Sequence, residues 1–200
     1  MSYATLAELK DALSVASTDT SSDTYLQAAL DATDQLINNW CERPAGFVAT
    51  SQTRYYTAQA SDLCMVDDFV SITTLATDDA GDGTYSTVWS ATDYVKMPRN
   101  AAVDGEPYDR LELNNQITRT FPVVKNGVKL IANFGYASSV PAAVKAAALT
   151  QCGAIWFSRS APSGVVGSAD LGGIMRLSRA LHPEAQVLLE PYRKRNGLAV

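Results

Sequence analysis

The apolar positions in the first 46 residues recur at helical spacing. Thr5 and Glu8 form a capping box, a pattern that satisfies free backbone N–H groups at the start of a helix. A second helix is predicted to begin at an N-cap on Ser22 or Asp23 and to end before Pro44. Its apolar stripe consists of Leu26, Ala29, Leu30, Thr33, Ile37, Trp40 and Cys41. The chain therefore opens with a pair of helices.

From residue 47 to residue 136 the period changes from helical to alternating. Short runs rich in β-branched and aromatic residues alternate with turn clusters such as 78–83. The clearest strand follows Asn126-Gly127, a strong hairpin signal. The predicted strands are 54–57, 69–74, 85–89, 94–97, 111–113 and 128–136. This middle segment is predicted to form a small antiparallel β unit.

Helical patterning returns after Val140-Pro141, and we expect Pro141 at the first helical position, where its missing N–H costs nothing. Residues 161–173 are rich in glycine and are predicted to be a mobile loop. His182-Pro183 opens a last helix, which Pro191 kinks or ends. The fold class is therefore α+β. Residues 1–46 and 137–200 form a small helical bundle, with two N-terminal and two C-terminal helices, and an antiparallel β subdomain is inserted at 47–136.

Composition supports a folded chain whose charge is unevenly distributed. Of the 200 residues, 46% are hydrophobic and only 18% are charged, which argues for a real core and against disorder. The net charge of −5 divides into −11 for residues 1–124 and +6 for residues 125–200. Such asymmetry suggests two different contact surfaces. We predict neither a signal peptide nor a membrane span.

Residues that could carry chemistry are few. Cys41, Cys64 and Cys152 lack metal-site spacing and are predicted to be buried free thiols, in keeping with a reducing cytoplasm. The segment 78–83 resembles the start of a calcium loop but lacks two ligands, so a hairpin turn is favoured. His182 is expected to cap a helix or to be exposed. We therefore predict no enzyme activity, no metal and no cofactor.

The run Tyr192-Arg193-Lys194-Arg195 contains three consecutive basic residues and is the charge feature that most directly indicates a binding role. One interpretation is a solvated helix terminus whose basic residues complement the helix dipole. The other is a segment that docks on an acidic partner. The pattern alone favours the first interpretation.

The order of elements resembles that of the head–tail connector proteins of tailed bacteriophages, also called head-completion or adaptor proteins. Three stretches carry the resemblance, and the middle, with Trp89, Tyr94 and Tyr108, is similar to the β insertion of the longer members. The stretches are Trp40–Pro44 after an acidic second helix, Gly135-Tyr136 leading through Val140-Pro141 to Trp156–Arg159, and the closing Leu188–Arg193.

The resemblance implies a structural role in a virion assembled in the bacterial cytoplasm. Such adaptors form a ring, twelvefold in expectation, beneath the portal protein. The ring extends the channel for double-stranded DNA, without sequence-specific binding, and offers its far side to a stopper or tail-completion protein. The C-terminal segment typically engages the portal, which implies docking residues Leu188, Leu189, Tyr192, Arg193, Lys194 and Arg195. With the family in view, docking becomes the favoured interpretation of the basic run.

The acidic part of the chain has a physical use in such a channel. A wall that repels phosphates lets DNA slide, because neutralisation of phosphates drives nonspecific binding. Asp31 and Asp34 on the second helix are the candidate channel-facing acids.

Two other functions stay open at this point. One is a β module that binds carbohydrate or peptide on exposed Tyr and Trp side chains, with a helical base for oligomerisation. The other, with less support, is an acid–base hydrolase that uses Asp67 or Asp93.

Overall fold

The computed structural model describes residues 2–114, 118–159, 165–167, 174–176 and 181–194. It divides the chain into two compact units, a helical unit of Met1–Glu42 with Val140–Val200 and a β unit of Arg43–Ser139. In chain order the elements are α1 (Leu6–Ala12), α2 (Asp23–Cys41), β1 (Thr50–Tyr56), β2 (Leu63–Thr77), β3 (Thr87–Val88), β4 (Tyr94–Met97), α3 (Ala101–Asp104), β5 (Tyr108–Leu113), β6 (Val128–Phe134), α4 (Ala142–Ser158), β7 (Val165–Gly167), β8 (Ile174–Arg176), α5 (Pro183–Leu189) and a 3₁₀ turn (Glu190–Tyr192).

The helical unit forms as its sequence periodicity indicates. The capping box at Thr5 and Glu8 is present, and Ser22 is the N-cap of α2. Every apolar position of the predicted α2 stripe except Trp40 is buried, and Trp40 is half-buried. Pro141 is the N-cap of α4 instead of its first helical residue, so the predicted position is wrong by one residue.

The connection between α1 and α2 is held by a buried cation. The Lys10 ammonium donates a hydrogen bond to the Asp19 carbonyl oxygen at 2.8 Å and forms an ion pair with Asp23, the first residue of α2. A buried lysine needs such partners, because an unpaired charge in the interior is costly. The polar loop between the two helices is thereby tied to α1.

The β unit contains one antiparallel sheet with the strand order β1-β6-β2-β5-β4, and β3 pairs with the end of β2. The 15-residue β2 pairs with β5 through its first half and with β6 through its second half. The register with β5 shifts between Met65 and Phe69, and the register with β6 shifts between Phe69 and Ser71 and again between Ile72 and Thr74. One core of side chains lies under this sheet, and its largest members are Phe69, Trp89, Phe121 and Phe134.

The chain enters and leaves the β unit through two adjacent segments. The Ala49 N–H donates to the Ala137 carbonyl at 2.8 Å, and the Tyr136 N–H donates to the Gly46 carbonyl at 3.1 Å. The ring centroids of Phe47 and Tyr136 lie 5.6 Å apart. Entry and exit are therefore fastened together within the unit itself.

Several predicted elements differ in extent from those observed. The predicted strand 85–89 shortens to β3, the last predicted strand ends at Phe134, and the short α3 was not predicted. The expectation of a mobile loop at 161–173 is wrong in part, since Val165–Gly167 pairs with Ile174–Arg176; residues 161–164 and 168–173 lie outside the described residues. As predicted, α5 ends just before Pro191.

Candidate functional site

The C-terminal segment predicted to dock lies at the end of α5 and just beyond it. Leu189 is completely buried within the chain, whereas Leu188 and Tyr192 are half-buried. Arg193 is exposed, Lys194 is half-buried, and Arg195 lies outside the described residues. In this structure Leu189 therefore belongs to the core of the helical unit, and the outward-facing part of the segment begins with the polar residues.

The segment rests on the carboxyl end of α2. The Lys194 N–H donates to the Cys41 carbonyl oxygen at 2.8 Å. The Arg193 guanidinium lies 5.5 Å from the Trp40 ring centroid and 3.7 Å from a Glu42 carboxylate oxygen. Because α2 has no basic residue in its own last turn, these two residues supply the hydrogen bond and the positive charge that a helix C-terminus favours.

The basic run thus complements a helix dipole, but the helix is α2 and not the one that precedes the run. The sequence offers no signal for this contact, since Glu42 and Arg193 are 151 residues apart in the chain. Both side chains are nearly half exposed, so we assign this ion pair at most about 1 kcal/mol.

The two candidate channel acids differ in their surroundings. Asp31 is exposed, and one of its carboxylate oxygens accepts a hydrogen bond from the Gln27 amide at 3.0 Å. Asp34 is half-buried and accepts a hydrogen bond from the Tyr3 N–H at 3.3 Å. Burial raises the pKa of the Asp34 carboxyl above its usual value. Of the two carboxylates, Asp31 is the more exposed to solvent.

The fold brings the acidic first segment of the chain and its basic last segment into one unit, so that their opposite charges partly cancel. Residues 1–42 carry a net charge of −6 and residues 140–200 carry +4, and both segments belong to the helical unit. Their charges meet in pairs, such as the Lys145 ammonium 2.7 Å from the Glu8 carboxylate. Hydrogen bonds from Lys145 and Thr5 lower the pKa of Glu8 to about 2. The helical unit ends with a net charge of −2 and the β unit with −3.

The carboxylates considered for catalysis, Asp67 and Asp93, and the neighbouring Asp68 all form ion pairs with arginines. Asp68 is buried against the Arg43 guanidinium at 2.5 Å, and Asp67 contacts the Arg54 guanidinium and the Tyr56 hydroxyl. Asp93 accepts a hydrogen bond from the Ser90 N–H at 2.9 Å and lies 3.5 Å from Arg119. Each of these three carboxylates is therefore paired with an arginine of the β unit.

The segment that resembles a calcium loop is a self-capped turn. The Asp78 carboxylate accepts hydrogen bonds from the N–H groups of Gly81 at 2.7 Å, Asp82 at 3.2 Å and Gly83 at 2.7 Å. In the described part of the chain, no group of three His, Cys, Asp or Glu side chains is arranged to hold a metal ion. The carboxylate that a cation would need is therefore used to shape the loop.

The remaining candidate groups are Cys41, Cys64, Cys152 and His182. The three cysteines are buried and free, as predicted, and burial raises the pKa of Cys64 to about 12 and that of Cys152 to about 11. Thiols with such pKa values are poor nucleophiles at neutral pH. His182 is the N-cap residue of α5, and its N–H donates to the Gln151 side chain at 2.7 Å.

A concave surface lies along β4 at the edge of the sheet. It is an open groove of about 380 Å³. The Lys96 ammonium lies 4.5 Å from the ring centroid of Tyr108, which in turn stacks on Phe69 at 5.4 Å. The residues that line the groove include Ile72, Tyr94, Val95, Lys96, Arg99 and Tyr108.

Comparison with known proteins gives a likeness of fold. No protein-family model matches the sequence, and no curated protein is significantly similar to it. The chain is similar, over 99% of its length and 93% of that chain, to a chain in the neck of an empty gene transfer agent particle computed with C6 symmetry, with a TM-score of 0.64 and 17% identity. It is also similar to a chain in the virion of the native gene transfer agent particle, with a TM-score of 0.61, 17% identity and the same coverage.

These similarities confirm, for the fold, the resemblance that the order of elements predicts. The chain is an α+β protein with the helical and β elements in the expected order. Among the described residues, we find no helix that is both long and apolar enough to cross a membrane.

Proposed function

We propose that the chain is a structural neck protein of a phage-like particle, an adaptor that forms a ring beneath the portal and provides the attachment site for the stopper or tail. The observation that carries this proposal is the likeness, over 99% of the chain, to a chain in the neck of a gene transfer agent particle. Because the likeness covers 99% of this chain, it spans the helical bundle and the β insertion together. The sixfold symmetry of that neck is compatible with a ring of twelve copies.

A non-enzymatic role agrees with the surroundings of the acidic side chains. Asp67, Asp68 and Asp93 are all held in ion pairs with arginines of the same unit. We accordingly expect no hydrolase activity. The alternative of a carbohydrate- or peptide-binding module has less support, since the similar chains come from particle structures.

In this proposal the C-terminal segment from Tyr192 onward attaches the ring to the portal. Its contacts with α2 include a half-exposed ion pair between Arg193 and Glu42, and an exposed pair of this kind is exchanged for one on a partner at small cost. Leu188 is the half-buried apolar residue beside it, and the buried Leu189 anchors α5 in place.

The attachment is tested with the variant Arg193→Glu/Lys194→Glu and with a deletion of residues 191–200. We expect both to lose at least tenfold in affinity for rings of the cognate portal protein, because the docking charges are reversed or removed. Circular dichroism is expected to show an unchanged fold. Co-sedimentation with portal rings and negative-stain imaging measure the attachment.

The charge-matched control is Arg119→Glu/Lys125→Glu, two exposed residues of the β unit. It changes the net charge by the same amount and is expected to bind portal as the wild type does. Equal portal binding by the wild type and the Arg193/Lys194 variant would contradict the docking role.

A channel lined by acidic side chains is expected to hold DNA weakly. Assembled wild-type rings should retain little duplex DNA at low salt, as measured by a filter-binding titration. Asp31→Lys should raise retention by about tenfold or more in a salt-sensitive way, because each new cation releases counterions from the phosphates. Asp11→Lys, an exposed acid on α1, is the matched control. Tight binding by the wild type would argue against a repelling channel.

A further inference from the structure

The groove along β4 carries two positive charges for which the described part of the chain supplies no ion-pair partner. It is lined by Lys96 and Arg99, and no acidic side chain is among the lining residues. In the described part of the chain, neither cation is in an ion pair with a carboxylate. Tyr108 forms an aromatic wall against Lys96, held in place by stacking on Phe69. The groove therefore suits a small anionic group that can also pack against an aromatic ring.

A segment of complementary charge lies elsewhere in the same unit, in the connection between β2 and β3. The buried Asp78 carboxylate holds three backbone N–H groups of this connection and so makes it rigid. The carboxylates of Asp79 and Asp82 are exposed. Asp79 accepts a hydrogen bond from the Thr87 hydroxyl at 2.7 Å, and Asp82 accepts one from the Thr84 N–H at 2.8 Å. We call residues 78–83 the acidic loop.

The acidic loop does not reach the groove of its own chain. The groove touches β2 at Ile72, and the loop begins at Asp78, which is six residue steps further along the chain at the end of this strand. At a rise of roughly 3.3 Å per residue this is about 20 Å, beyond the reach of an aspartate side chain. Two complementary patches at different places on one molecule form a head-to-tail contact, and such contacts close into rings when the rotation between copies allows it.

We propose that the groove formed by Lys96, Arg99 and Tyr108 receives the acidic loop of a neighbouring copy of this chain. Each copy then offers its loop to one neighbour and its groove to the other. The proposal rests on the proposed ring and names the contact that builds it. Asp79 and Asp82 meet Arg99, whose guanidinium is shaped for two parallel hydrogen bonds to a carboxylate, and Lys96, which adds a second positive charge.

The contact is tested by reversing each partner separately and then together. We expect Lys96→Glu/Arg99→Glu to need at least tenfold more protein than the wild type for half-maximal ring formation, measured by native mass spectrometry. We expect the same of Asp79→Lys/Asp82→Lys, because like charges then face each other in either variant. A 1:1 mixture of the two variants should form rings again, with the two chains in alternation, since each groove then faces a loop of opposite charge.

Recovery in the mixture also shows that both variants are folded. Arg119→Glu/Lys125→Glu and Asp62→Lys/Asp104→Lys carry the same charge changes at other positions of the β unit and should assemble as the wild type does. Wild-type assembly by the two test variants would overturn the contact while leaving the ring in place. A folded pair that fails to recover in the mixture would also overturn it.

Two further results overturn the proposal in different ways. If Lys96→Glu/Arg99→Glu loses affinity for duplex DNA while its rings form normally, the groove binds a polyanion and not the loop. If the wild type stays monomeric at every concentration, with and without portal, then the contact and the ring both fail. The experiment thus separates an error in the contact from an error in the proposed function.

Discussion

Replacing Asp68 with alanine is expected to lower the free energy of unfolding of the β unit by about 3–5 kcal/mol. The Asp68 and Arg43 side chains are only 3% and 9% exposed, and their charged atoms lie 2.5 Å apart. Removal of the carboxylate leaves the Arg43 guanidinium as a buried charge with its main counter-ion missing. The guanidinium also lies 4.7 Å from the Tyr136 ring centroid. This ring is uncharged, so it does not replace the lost carboxylate as a counter-ion.

The adjacent Asp67 provides the matched control. It also pairs with an arginine, Arg54, but these side chains are 30% and 23% exposed, so water compensates for a lost partner. Asp67→Ala is expected to cost about 1 kcal/mol or less. Urea titrations followed by circular dichroism measure both variants. Similar losses for Asp67→Ala and Asp68→Ala would contradict the assignment of a burial penalty to the Arg43–Asp68 pair.

Gly135→Ala is expected to destabilise the β unit by about 3 kcal/mol or more, from backbone strain together with overpacking. Gly135 has a φ of +147°, which L-residues with side chains rarely adopt. A Cβ at this position would lie 2.6 Å from the backbone N and Cα of Ala49, and backbone atoms cannot move aside as a flexible side chain does. The Gly135 N–H also donates to the Asp68 carbonyl at 2.8 Å, so a shift here disturbs β2.

The control for this substitution is Gly153→Ala in α4. The nearest atom to a Cβ there, a methyl carbon of Leu13, is 4.0 Å away, and the position is helical. This change is expected to stabilise the protein by about 0.5–1 kcal/mol, because alanine loses less conformational freedom on entering a helix. Thermal unfolding of the two variants should therefore shift in opposite directions. An unchanged or raised unfolding temperature for Gly135→Ala would show that the backbone does not require glycine at this position.

Both predictions concern the place where the chain enters and leaves the β unit. Arg43 begins the unit, and Gly135 lies at its end, beside Ala49. Asp68 contacts both segments, through its side chain to Arg43 and its carbonyl to Gly135. If the β unit takes part in ring formation as proposed, destabilising this junction should also weaken assembly.

In the proposed function, the charges of the C-terminal segment serve two purposes. Arg193 and Lys194 complete the end of α2 in the isolated chain, and the Arg193–Glu42 ion pair is weak because both side chains are nearly half exposed. A partner with a stronger acidic surface competes with that ion pair at small cost. The interpretation as a solvated helix end and the interpretation as a docking segment therefore do not exclude each other.

The sequence by itself determined the main helices and strands and their order along the chain. The capping box at Thr5, the stripe from Leu26 to Cys41 and the turn at Asn126-Gly127 depend on residues a few positions apart, so their signals survive without the fold. For the same reason the buried cysteines and the α+β class followed from composition and period.

Only the tertiary structure decided which distant residues meet. Asp68 forms an ion pair with Arg43, and Lys194 of the basic run donates a hydrogen bond to the end of α2. The strands of the sheet take the order β1-β6-β2-β5-β4. The −11 and +6 halves of the sequence become two units of −2 and −3, because the first and last segments of the chain fold together. These pairings depend on strand register and on the closure of long stretches of chain. Both are determined by many weak contacts across the whole molecule, so a local sequence pattern does not predict them.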